Sequence, residues 1–417
     1  MATIKPFKGF RPPKDIAKDL SALPYDVMNT QEAAEMAKGK EYSLLHITRA
    51  EIDFPEEIDS HSEKVYKKAV ENYQKFKENN WLKQDEKPHY YIYAQTMDGR
   101  TQYGIVGAAA AQDYFDGIIK KHELTRPDKE EDRMVLTRYL NANIEPVFFS
   151  YKAVPEIDAI VEKVVKNNEP VYDFTTEDGF GHHFWVVESE EDNAALEKLF
   201  EEKVPYTYVA DGHHRTAAAA RIMQEKKAQN PNHTGNEAYN YFMAVHFPDN
   251  QLKIIDYNRV VKDLNGLSKE EFLEKLSTGF EIEKMGPEIY KPGKLHEFSM
   301  YLDGDWYKLT AKPGTYDDND PIDQLDVSVL SKQILEPLLD IKDLRTSKRI
   351  DFVGGIRGLS ALKEKVDSGD YAVAFALYPV SMKQLINIAD TGNIMPPKTT
   401  WFEPKLRSGL VIHDLSE

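Results

Sequence analysis

Asp211-Gly212-His213-His214-Arg215-Thr216 sets a carboxylate, two imidazoles, a guanidinium and a hydroxyl within six consecutive residues. The run before it, Tyr206 to Ala210, is apolar and aromatic and follows Pro205, which predicts a buried strand. The alanine-rich stretch Thr216 to Lys227 has high helix propensity. Asp211-Gly212 supplies turn chemistry between them. Strand, glycine turn and helix start together bring unpaired N–H groups and the positive dipole end to one place, which suits an anion. Arg215 adds a fork that matches phosphate oxygens. The competing reading is a plain helix start, with Asp211 as its cap and the histidines on the surface.

Two further stretches offer groups of complementary chemistry. The most polar part of the chain, Ile119 to Arg133, holds Lys121, His122, Glu123 and Arg126 just before a helix predicted over Asp132 to Asn141. It reads equally as a solvent loop or as a substrate or phosphate loop. Near the N-terminus, Pro24-Tyr25-Asp26 places a carboxylate among few other polar groups, either aimed into a site or serving a turn. Arg49 ends a strand-like run, Leu44 to Arg49. His182-His183 reads as a hairpin-edge pair more readily than as ligands.

Bulk composition narrows the chemistry. The chain has 417 residues, 41% hydrophobic and 29% charged, with a formal net charge of −17. That balance opposes nonspecific nucleic-acid binding, which depends on Lys and Arg neutralising phosphates. There are no cysteines, so disulfides, thiolate metal sites and cysteine nucleophiles are excluded. No apolar run approaches the ~18 residues of a membrane span, and the first residues, Met1 to Lys8, have no signal-peptide h-region. The expectation is a cytoplasmic chain acting on a small molecule, without nucleic acid or membrane; homodimerisation is left open.

The remaining elements alternate irregularly, with frequent hairpins, and predict a mixed α+β fold. His89 to Gln95 and Gln102 to Ala111 form a predicted hairpin across Asp98-Gly99. Tyr239 to Phe247 and Leu252 to Val261 read as another strand pair across Pro248 to Asn250, and Ser268 with Glu271 has capping-box spacing. The expected division is 1–88, an N-terminal extended and α+β region; 89–264, a core around the strand–turn–helix unit; and 265–417, a C-terminal α+β domain.

Segments spread along the chain resemble the DUF1015 family of bacterial and archaeal proteins: Pro6-Phe-Lys, Pro24-Tyr-Asp-Val, His46-Ile-Thr-Arg, Lys121-His-Glu-Leu-Thr-Arg-Pro-Asp-Lys, Ala210-Asp-Gly-His-His-Arg and Met395-Pro-Pro-Lys-Thr-Thr-Trp-Phe-Glu-Pro-Lys-Leu. The Gly212-to-Arg215 core is also similar to the phosphate-binding motif of the ParB/sulfiredoxin superfamily, Gly-Cys-His-Arg or Gly-Glu-Arg-Arg there. That resemblance implies a ParB/sulfiredoxin-like core in which Gly212 allows close approach and His214 and Arg215 touch phosphate, with His213 at the variable position. It further implies phosphoryl transfer, in its most specific form onto free L-serine.

Phosphoryl transfer needs clustered cations, a positioned hydroxyl and a proton acceptor. Gly212 N–H, His213, His214, Arg215 and Thr216 are the expected donor-phosphate contacts, with His213 also counted in the catalytic set. Lys121, His122, Arg126 and Arg49 would add charge. Asp211 is the expected base, with Glu123 and Asp26 as alternatives for base or Mg2+ ligand; Asp26 and Arg49 are also the expected substrate contacts. The chain has no Gly-x-x-x-x-Gly-Lys-Ser/Thr loop, so ATP, ADP and pyrophosphate all stand as donors. A metal-dependent phosphohydrolase on His213, His214 and Asp211 is the rival enzyme, but adjacent helical side chains point about 100° apart, and no protein-held metal site is expected. A noncatalytic nucleotide-binding or ParB-like regulatory protein is the other alternative.

Overall fold

The computed structural model describes residues 1–416 as a mixed α+β protein. The backbone divides into two compact units, Lys253–Glu403 and a larger one made of Met1–Leu252 with the chain from Pro404 onward. These bounds differ from the three segments expected above. Residues before and after position 88 share one unit, and the last residues return to it after the second unit.

The larger unit is built on a nine-stranded sheet. Its strands are β1 (Ile4–Lys5), β2 (Tyr91–Met97), β3 (Arg100–Ala110), β4 (Ile119–Lys120), β5 (Val147–Tyr151), β6 (Tyr172–Thr175), β7 (Gly181–Val186), β8 (Thr207–Asp211) and β9 (Tyr241–Pro248). They run in the order β4-β8-β5-β9-β3-β2-β7-β6, with β1 also on β3. Pairing is antiparallel except for β4 with β8 and β5 with β9. Alternation along β2 gives each face its character. Ile92 and Ala94 join a core with Phe149, Val209 and Phe242, while Tyr93 and Gln95 point the other way. The β2–β3 hairpin closes on Asp98 and Gly99, both at positive φ (52° and 74°), as expected for an Asp-Gly turn.

Five longer helices accompany the sheet: α1 (Glu63–Glu78), α2 (Pro127–Leu140), α3 (Pro155–Asn167), α4 (Glu190–Lys203) and α5 (His213–Gln229). α5 buries Ala217, Ala218, Ala220, Ile222 and Met223, and it packs against α2. A second core gathers α1, the end of α2 and the N-terminal segment, through Leu44, Ile47, Tyr73, Phe76, Leu136 and Leu140. Leu45–Thr48 is a short helix within it, not the expected strand. A short apolar run has no periodicity of its own, and here packing decides it.

The smaller unit holds a six-stranded antiparallel sheet: β10 (Tyr257–Val261), β11 (Phe280–Gly286), β12 (Glu297–Leu302), β13 (Asp305–Ala311), β14 (Ile350–Gly354) and β15 (Val373–Ala376). The order is β11-β13-β12-β15-β10-β14. The predicted pairing across Pro248 to Asn250 therefore does not form. β9 pairs with β3 and β5, and β10 with β14 and β15 of the other sheet. The Ser268–Glu271 capping box is present. No helix among the described residues is long and apolar enough to cross a membrane.

Candidate active site

The end of β8 and the start of α5 make the turn on which the site is built. β8 carries an irregularity between Val209 and Asp211, and such bulges re-aim the side chain that follows. Asp211 Oδ1 accepts the Gly212 N–H at 3.0 Å, and Oδ2 lies 3.3 Å from Lys405 Nζ. Burial works against the Asp211 charge, but Lys405 and Arg215 outweigh it and hold its pKa below the ordinary aspartate value. An ion-paired carboxylate of that kind is a weak proton acceptor at neutral pH. Nor is Asp211 the helix cap, because Gly212 occupies that position and no side chain caps the helix.

Gly212 has φ 93° and ψ 35°, a left-handed conformation that side chains resist. A Cβ there would meet the Arg215 guanidinium, with Nε and Nη2 at 3.2 Å. The amides of His213, His214 and Arg215 stand in the first turn, where a helix offers no acceptor. Thr216 is the first to pair, giving its N–H to the Gly212 carbonyl at 2.9 Å. Its hydroxyl, fully buried, also donates to that carbonyl at 2.9 Å. Thr216 therefore locks the turn from behind, a correction to its expected phosphate contact.

The histidines divide the work. His213 is buried, with Nδ1 3.6 Å from Glu123 Oε2 and Nε2 without a hydrogen-bond partner. Its ring meets His122 edge to face at 4.6 Å between centroids. Burial lowers the His122 pKa to about 4, against a backbone hydrogen bond with Val209, and lowers His213 well below its ordinary value. Both rings are thus neutral at physiological pH and do not supply the positive charge expected of His122. His214, half-buried, accepts the Arg126 N–H on Nε2 at 3.0 Å. That contact ties α5 to the loop opening α2, whose N-cap Arg126 also gives no side-chain cap. Pro127 starts α2 five residues earlier than the sequence predicts, which shortens the polar loop.

Arg215 is 9% exposed and donates Nη1 to the Pro146 carbonyl at 2.6 Å. Asp26, Glu145 and Asp211 surround it and favour its charge against the burial penalty. Glu145 in turn accepts the Tyr25 N–H at 2.9 Å and lies 3.4 Å from Arg133 Nη1, while Arg133 stacks 3.6 Å over the Tyr25 ring. Burial raises the Glu145 pKa even between these cations. Asp26 is exposed on the turn Tyr25–Val27, within Coulombic range of His214 and Arg215.

Arg49 does not enter the site. Its guanidinium binds the carbonyls of Tyr25 (2.8 Å) and Met28 (3.1 Å), the Thr30 hydroxyl and Glu51, framing the turn that carries Asp26. Lys121 is exposed, its ammonium 4.3 Å over the Tyr114 ring and within range of His213. The Arg126 guanidinium pairs with Asp128 at 2.7 Å, so its backbone rather than its side chain faces His214. Lys405, Glu145, Arg133 and Tyr25 also belong to this neighbourhood, and nothing local in the sequence marks the pairings of these four.

The chain belongs to the DUF1015 family, described as proteins of unknown function, whose model matches residues 4–328. Among curated proteins none matches it. Similar solved structures include a free serine kinase in complex with AMP (13% identity, 74% of this chain and 92% of that one, TM-score 0.35). Others are SbnI with a C-terminal truncation from Staphylococcus aureus (11%, 73% and 87%, 0.38) and a conserved hypothetical protein from Pyrococcus furiosus (14%, 74% and 95%, 0.34).

Proposed function

We propose that the protein is a phosphotransferase that moves a phosphoryl group from ATP, ADP or pyrophosphate to the hydroxyl of a small metabolite, with free L-serine as acceptor. The observation that carries this reading is the Gly212 turn. There an uncapped helix start, a glycine in a conformation side chains resist and the loop leading into α2 meet at His214. Such a turn receives phosphate oxygens on backbone N–H groups. The acceptor follows from the similarity of Gly212 to Arg215 to the superfamily that includes free-serine kinases.

In this account the first amides of α5 and the His214 ring hold the donor, and Arg215 shapes the turn from beneath. The acceptor oxygen attacks the terminal phosphorus, the new O–P bond forms as the bond to the leaving phosphate breaks, and the hydroxyl proton passes to Glu123. Asp211, held ionised by Lys405, is replaced by Glu123 in that role. Mg2+ needs few protein ligands; Asp26, exposed and within Coulombic range of His214 and Arg215, would be the residue to hold it, and the ion would supply neutralisation of developing phosphate charge.

The test incubates the full chain with Mg2+ and L-serine, separately with ATP, ADP and pyrophosphate, and follows O-phosphoserine by mass spectrometry. Product with one donor, lost in His214→Ala, supports the reading. A folded protein that makes none with any donor overturns it.

A further inference from the structure

In the smaller unit, one imidazole is met by three groups at once. His296 precedes β12 at a φ of 65°, in the left-handed region. Its carbonyl accepts the Ala311 N–H at 2.9 Å, and its own N–H donates to Asp326 Oδ1 at 2.9 Å, so the backbone is fixed from both sides. The ring is held as closely. Nδ1 lies 3.2 Å from Asp326 Oδ1, Nε2 lies 3.6 Å from Asp318 Oδ1, and the Tyr316 ring stacks on it at 3.9 Å between centroids. Asp326 is buried and its second oxygen has no hydrogen-bond partner, whereas Asp318 is exposed.

Tyr316 and Asp318 belong to the connection from Pro313 to Gln324, which is bonded largely to itself. The Asp317 N–H donates to Asp323 Oδ2, the Asp320 N–H to the Asp317 carbonyl, and the Gln324 N–H to the Asp320 carbonyl. From outside, Gln333 reaches the Thr315 carbonyl at 3.1 Å and Lys332 pairs with Asp323. His296 joins the connection to buried Asp326. An imidazolium has an N–H on both nitrogens and can offer one to each carboxylate; a neutral ring has only one. The nitrogen that loses its proton then turns a lone pair toward a carboxylate oxygen, which repels it. Asp326 is fixed by burial and by the His296 amide, so the exposed Asp318 is the partner that yields. The neighbouring Glu297 is turned to Tyr290, Gly293 and Lys308. Asp326, Asp318 and Tyr316 are therefore the titratable groups that face the ring. The contact with Asp326, and behind it the charge of Asp318, raise the His296 pKa above its ordinary value despite burial. The stabilisation this gives is fully present below the ordinary histidine pKa and is lost as pH rises through the higher folded-state value.

We propose that His296 is a proton-operated latch on the 313–324 connection. Protonated, it ties Asp318 and Tyr316 to the buried Asp326. Deprotonated, it releases the Asp318 end, and the connection loosens. The smaller unit thus carries a stretch of surface whose order depends on pH, on the alkaline side of the ordinary histidine range.

The experiment titrates the histidine rings of the full chain by NMR from about pH 6 to about pH 9, with His296→Gln giving the assignment. Amide exchange of the 313–324 peptide is followed over the same range by mass spectrometry, corrected for the intrinsic rate at each pH. His296 should titrate above about 6.5, and protection of the peptide should fall about tenfold or more across that same midpoint. Asp318→Asn, changed at an exposed residue, should lower the midpoint and shrink the fall in protection. His296→Gln should hold the peptide at the loosened level at every pH. A His296 midpoint at or below the ordinary value, or protection that does not change through the midpoint, overturns the inference. So does parent-like protection in His296→Gln at the acidic end. An Asp318→Asn chain that titrates and exchanges like the parent overturns it too, whether or not His296→Gln folds.

Discussion

Replacing Gly212 with alanine separates the backbone conformation of the turn from its chemistry. Alanine in the left-handed region costs roughly 1–2 kcal/mol, and Gly212→Ala imposes that cost at φ 93°. Gly99→Ala imposes the same cost at φ 74° in the same compact unit, where an added Cβ meets nothing within 4 Å. The gain from a stiffer unfolded chain is common to both and cancels in the comparison. At Gly212 the new methyl lies 3.2 Å from a guanidinium pinned to the Pro146 carbonyl, so Arg215 or the turn must shift. Overpacking of that kind adds about 1–3 kcal/mol. Gly212→Ala should therefore be the less stable variant by that margin in urea unfolding, or roughly 2–10 °C in midpoint for a unit of this size. It should also lose binding of the phosphate donor, which Gly99→Ala keeps. Equal stability losses, or unchanged donor affinity in Gly212→Ala, would refute the close-approach argument.

Other outcomes follow from the same geometry. Glu145→Gln removes one carboxylate from Arg133 and Arg215, which keep Asp132 and, around Arg215, Asp26 and Asp211, and should cost about 1–3 kcal/mol in urea unfolding; parent-like stability would contradict it. Burial holds the His246 pKa at about 4, so the folded chain resists protonation that the unfolded chain accepts. That contribution is present above the ordinary histidine pKa and is lost as pH falls toward 4. Between pH 7 and 4 the parent should lose about 3 kcal/mol more than His246→Leu, and parallel pH profiles would refute it. Arg49→Ala frees the carbonyls of Tyr25 and Met28. Hydrogen exchange should rise at Tyr25 to Thr30, and the KM for the Mg2+–donor complex should increase with acceptor KM unchanged; the reverse pattern would place Arg49 at the acceptor.

What the sequence made legible was local. The strand, glycine turn and helix around Asp211 depend on neighbours within a few residues, as do the Asp98-Gly99 hairpin and the Ser268 capping box. All three take the predicted form. Leu45–Thr48 went the other way, since four residues, Leu-His-Ile-Thr, are too few to carry a period that separates helix from strand. Tyr241–Pro248 and Tyr257–Val261 look like partners because they are adjacent in sequence, yet each completes a different sheet. The site shows the same limit. His213, His214, Arg215 and the Glu123 loop could be read from residue type, but their protonation could not, because it follows from burial. The Asp211–Lys405 pair spans 194 positions, and no spacing rule reaches that far.

The measurement closest to the central claim is phosphorus NMR of the parent chain with Mg2+, L-serine and each donor in turn, followed as the reaction proceeds. The account requires an O-phosphoserine resonance to grow as the donor's terminal phosphate signal falls in equal amount. Donor loss matched only by inorganic phosphate would instead make the protein a phosphohydrolase, and would contradict the account.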